Sequence, residues 1–78
     1  MKRRVYAAKF KIGDIIIRIV KDKYVIREII SIENYIGSYM TKIIKTNKKM
    51  EYINMCPYMY FVDEHYSLIT NFEKIKYL

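Results

Sequence analysis

The chain has 78 residues, a formal net charge of +7, and a composition that is 53% hydrophobic and 29% charged. That length holds one domain, with a core near the lower limit for stability without disulfides or metal. The apolar content excludes disorder, which needs low hydrophobicity with high charge, and the single cysteine, Cys56, excludes an intrachain disulfide.

The opening "MKRRVYAAKF" carries the positive charge of a signal peptide, but Lys9 and Lys11 interrupt the apolar stretch that should follow. No window approaches the roughly 18–20 consecutive apolar residues of a membrane span, so the expectation is a cytoplasmic protein with no membrane partner. Residues 1–8 read as a basic arm, 9–70 as the folded domain and 71–78 as a tail. All the excess charge is at the front, because residues 1–27 hold nine Lys or Arg against Asp14 and Asp22.

Fifteen isoleucines and nine tyrosines favour strands, since branched and aromatic side chains suit a pleated surface. "DIIIRIV" alternates Ile15, Ile17 and Ile19 with Asp14, Ile16, Arg18 and Val20, which predicts a half-buried strand with a mixed outer face. "KDK" at 21–23 supplies a turn. "YVIREIISIE" resumes the strand pattern, with a bulge expected at Arg27-Glu28. The spacing of Ile26, Ile29, Ile30 and Glu33 also fits a helix, and that alternative stays open.

Residues 34–37 read as a connection, "SYMTKIIKT" as a third strand, Asn47 to Lys49 as a tight hairpin and "MEYINM" as a fourth strand. Pro57 cannot donate to a ladder and so should open a strand or sit on an edge. "YMYFV" is expected to follow it as a strand, Asp63 to Tyr66 as a turn or single 3₁₀ turn, and "SLIT" as a short last strand. In "NFEKIKYL", Phe72, Ile75 and Leu78 lie three apart, which suits a short terminal helix or a docked tail. The pattern is mainly β: a small SH3-like barrel of five or six short strands, with an OB-type barrel as the second choice.

"KFKIGDIII" and "FVDEHYSLI" resemble segments of a loose group of small bacteriophage and mobile-element proteins. Phe10, Ile12, Gly13 and Asp14 match the opening element, and Phe61, Val62, Asp63, Glu64, Tyr66, Leu68 and Ile69 the closing one. The two segments occupy about a quarter of the chain. The resemblance implies an SH3-like barrel that binds rather than catalyses, and it places the acidic pair in a turn before the last strand.

Few groups here can do chemistry. Adjacent residues of an extended chain point in opposite directions, so at most Asp63 and His65 share a face, and no second histidine completes a metal site. Cys56 lies between Met55 and Pro57, which supply no base. Two glycines and one histidine cannot build a phosphate loop or a Ser/His/Asp set, so no enzyme and no cofactor are expected.

Two basic stretches are candidate contacts for DNA, RNA or nucleoprotein: Lys2, Arg3, Arg4, Lys9 and Lys11 at the front, and Lys42, Lys45, Lys48 and Lys49. The second set would extend the first if its hairpin lay beside the first strand. Its plainer role is to protect a strand edge from pairing. Tyr35, Tyr39, Tyr52, Tyr58 and Tyr60 are candidate contacts for a protein partner or for bases, against the plainer reading of buried rings with wet hydroxyls.

The apolar total exceeds what so small an interior can enclose, which implies an exposed patch and a partner. The leading expectation is a non-enzymatic binding protein that docks on a host protein or nucleoprotein and inhibits or redirects it, as an anti-CRISPR or other host-takeover factor does. A general nucleic-acid-binding barrel and a self-associating homodimer or virion component are the alternatives.

Overall fold

A computed structural model describes residues 7–48 and 58–78. In chain order they form β1 (Ile15–Val20), β2 (Lys23–Glu33), β3 (Ser38–Thr46), α1 (Met59–His65), β4 (Ser67–Leu68) and α2 (Asn71–Tyr77). The strands make an open antiparallel sheet in the order β3-β2-β1-β4, so the fold is mainly β with two short helices. A barrel of five or six strands is not formed by the described residues. The expected strand "MEYINM", with Tyr52, Cys56 and Pro57, lies outside them.

β1 and β2 close a hairpin with Val20 facing Lys23, and Lys21 takes a left-handed φ of 57° between them. β2 is a strand throughout, which resolves its helical alternative. Its pairing with β3 slips between Ile26 and Arg27 and again between Ile29 and Ser31, so the irregularity expected at Arg27-Glu28 falls one residue earlier and is joined by a second. Each slip moves a side chain relative to the face it would otherwise occupy. Asn47 fastens the far end of β3 to the first hairpin: its Oδ1 accepts from the Tyr24 N–H at 2.8 Å and its Nδ2 donates to the Asp22 carbonyl at 2.8 Å.

Facing residues in an antiparallel ladder project to the same side. On the front, Ile16 faces Arg27, Ile29 faces Thr41, and Tyr39 faces Ile32. On the back, Ile17 faces Ile26, Ile19 faces Tyr24, and Ile15 faces Glu28. Both Ile16 and Ile17 are buried, so β1 is covered on both sides where its alternation predicted a mixed outer face. The main core is on the front: Phe10, Ile16, Ile29 and Tyr39 pack with Met59, Val62 and Tyr66, and Ala8, assigned to the arm, already packs against it.

Residues 58–62, expected to be a strand, instead lead into α1. Met59 and Val62 are its buried residues and Tyr66 follows them into the core. Spacings of three and four put these side chains on one helical stripe, and Val62 is the only branched residue in the run, so nothing local favours an extended chain. Asp63, Glu64 and His65 are therefore the last turn of a helix rather than a turn between strands.

α2 forms where the tail was expected, with a complete capping box. The Glu73 N–H donates to Thr70 Oγ1 at 3.1 Å, and the Thr70 N–H donates to Glu73 Oε1 at 2.9 Å. It meets the back of the sheet through Tyr77, whose ring centroid lies 4.6 Å from that of Tyr24. β4, just before α2, faces Ile16 with Leu68 and Ile17 with Ser67, returning the end of the chain to the first strand. Among the described residues no helix is long and apolar enough to cross a membrane.

Candidate functional site: exposed rings, an apolar helix face and two arginines

The acidic segment with its histidine serves the core. Tyr39 is fully buried, so it is not the surface contact expected of it; its hydroxyl donates to Asp63 Oδ1 at 2.5 Å and accepts from the Phe10 N–H at 3.2 Å. The Lys9 N–H and ammonium reach the Asp63 carboxylate and carbonyl, each at 3.4 Å. Burial first, then the bond to the Asp63 carboxylate, pushes the Tyr39 hydroxyl up to about 12. One phenol thus joins the segment before β1 to α1. Glu64 and His65 are exposed, with the His65 ring 4.5 Å from that of Phe61. Among the described residues no three His, Cys, Asp or Glu side chains gather as a metal would require.

Of the two basic sets, only Lys9, Lys11, Lys42, Lys45 and Lys48 fall among the described residues. β2 separates β3, which carries Lys42 and Lys45, from β1. Lys9 lies on the front beside Asp63, and Lys11 sits in the turn into β1, where the Asp14 carboxylate accepts from its backbone N–H at 2.8 Å. Lys42 and Lys45 face Glu28 and Ile26 and so point to the back. Lys48 follows β3, and Lys2, Arg3, Arg4 and Lys49 lie outside the described residues.

Tyr58 and Tyr60 are exposed, with stacked rings 5.8 Å apart and 17° from parallel. A bridge from Ser38 to Tyr58, and the Met59 N–H donating to the Gly37 carbonyl at 2.8 Å, bring them to the β2–β3 connection, where Tyr35 and Ile36 are also exposed. A second exposed apolar group lies on α2, Phe72 71% and Ile75 85% exposed with Leu78 after them; Leu68 of β4 is also exposed but faces Ile16 on the front. The three-residue spacing makes a helix face as expected, but that face points to solvent. Tyr77, on a different side of the helix, makes the contact with the sheet.

Neither Arg18 nor Arg27 is among the contact residues expected from the sequence. Arg27 is buried on the front face, its Nε donating to the Tyr66 hydroxyl and its Nη1 to Thr41 Oγ1, each at 2.9 Å. Arg18 projects from the same face, its guanidinium 5.1 Å from the centre of the Phe61 ring. The signal was the parity of the hairpin, which puts both arginines on the Ile16 side.

No protein-family model, curated protein or solved structure matches the chain.

Proposed function

We propose that this chain is a non-enzymatic binding protein that docks on another protein or nucleoprotein and inhibits or redirects it. The outward apolar face of α2 carries the reading. Phe72 and Ile75 are large, well exposed, and held on a helix whose own capping box keeps it formed. Large apolar side chains exposed on one helix face are a feature of contact sites. The rings of Tyr58 and Tyr60 add a second apolar group of the type enriched at interfaces.

The host-takeover form of the proposal, anti-CRISPR action included, rests on the likeness of "KFKIGDIII" and "FVDEHYSLI" to phage and mobile-element proteins. The SH3-like barrel belongs to the same proposal. Its support is the β1-β2-β3 meander, whose first strand is paired on its other side by the last. Capture from bacterial lysate, with and without nuclease, tests the reading. One protein retained in both halves and lost with a Phe72→Ser, Ile75→Ser double variant supports it. Loss of every partner after nuclease treatment favours the general nucleic-acid-binding alternative.

Self-association is the second reading, favoured by the same face, because two copies of α2 placed face to face would bury Phe72 and Ile75 against each other. Sedimentation separates it: a dimer that becomes monomeric in the double variant supports self-association.

A further inference from the structure

We propose that Arg27, with Arg18 beside it, forms a phosphate-binding site on the front of the sheet. Arg27 is only 7% exposed, yet both side-chain acceptors it bonds, Tyr66 and Thr41, are neutral. Among the described residues no carboxylate pairs with it. A guanidinium withdrawn from water without a counter-charge costs several kcal/mol, which two neutral hydrogen bonds and the Tyr66 ring, 5.9 Å from the guanidinium carbon, offset only in part. The site is thus short of one anion.

The geometry shows where that anion would enter. Among the described residues no sealed side-chain nitrogen lacks a partner, and the bonds of Arg27 run from Nε and Nη1, which leaves Nη2 as the part of the fork open to a ligand. Tyr66 and Thr41 fix the plane of the fork from inside, so little rotamer freedom is left to lose on binding. Arg18 faces Val25 while Ile16 faces Arg27, which makes the two arginines diagonal neighbours on one face, roughly 7–8 Å apart at the backbone. Lys23, facing Val20, extends the same side. The acids of this hairpin lie elsewhere, Asp22 in the turn and Glu28 on the back.

Two planar forks and an ammonium on one face offer more donors than a single carboxylate can accept, and they suit the several oxygens of a phosphate group. The exposed edge of Phe61, with His65 against it, places rings at the rim where a base can stack. The phosphate can therefore come from free phosphate or a nucleotide, or from a single-stranded nucleic acid. The inference is independent of the apolar docking face.

The test follows the Nε–H resonances of the four arginines in nitrogen-15-labelled protein. Inorganic phosphate is titrated against sodium acetate at matched ionic strength, and a short oligothymidylate is titrated separately. The expected result is a saturable shift at Arg27 and Arg18 with phosphate and none with acetate. Arg27→Lys, which keeps the charge and loses the fork, should weaken binding about 10-fold or more. Arg18→Gln, at a half-buried position away from the main core, should weaken it as well and keeps the test valid if the Arg27 variant does not fold. Oligothymidylate binding tighter than phosphate assigns the site to a strand; equal affinity assigns it to free phosphate or nucleotide. Equal responses to phosphate and acetate, unchanged affinity in both variants, or no saturable shift would each overturn the proposal.

Discussion

Replacing Tyr39 by Phe removes one oxygen from the centre of the molecule. The Asp63 carboxylate loses a buried donor, and the Phe10 N–H loses its acceptor. A hydrogen bond to a charged group and an unsatisfied buried N–H together amount to about 2–4 kcal/mol, a large share of the stability of a domain this small. The pH dependence makes the test specific. In the folded protein Tyr39 keeps its proton up to about 12, whereas in the unfolded chain it releases it near 10. Between those values the unfolded state binds fewer protons, so stability falls as pH rises; the contribution is fully present below pH 10 and is lost as pH passes 12. Two pH units correspond to about 2–3 kcal/mol. Urea unfolding followed by far-ultraviolet circular dichroism at pH 7, 9, 10, 11 and 12 should show a wide gap between wild type and Tyr39→Phe at neutral pH that closes above pH 10. A gap that stays constant from pH 9 to 12 would refute the assigned role of the phenol.

Other substitutions probe separate parts of the structure. Asn47→Ala removes both ties between the end of β3 and the first hairpin, and a loss of about 1–2 kcal/mol in urea unfolding is expected. Thr70→Ala breaks the capping box of α2 and should cost about 1 kcal/mol locally, read as faster amide exchange in residues 71–77 with β2 unaffected. The Phe72→Ser, Ile75→Ser double variant should leave unfolding within about 0.5 kcal/mol of wild type, because these side chains bury little in the monomer; a larger loss would mean that they are structural.

The strands were legible because their signal is local. Branched residues run through β1, β2 and β3, and the charged "KDK" ends the first of them. α2 was legible from its spacing, and "TNFE" also carries a capping signature that fixes its start. α1 was not read, since an aromatic run after Pro57 looks like a strand unless the three-then-four spacing of Met59, Val62 and Tyr66 is weighed above residue type. The candidate sites were harder. Tyr39 and Tyr58 are the same residue type, yet one is wholly buried and the other exposed, a difference set by pairing partners distant in sequence. Arg27 escaped notice for the same reason: in the sequence it is a cation that breaks a strand, and only the fold surrounds it with Tyr66 and Thr41.

The return of β4 to β1 bears on how the molecule is made. Lys9 and Asp63 are 54 residues apart, and Ile16 waits for Leu68 to complete its pairing. On the ribosome the nascent hairpin therefore emerges with one side of its first strand uncovered, and that side stays open until the closing segment has left the exit tunnel. Contacts so remote along the chain form slowly. During that interval a chaperone or the ribosome surface itself has access to isoleucines that the finished protein conceals.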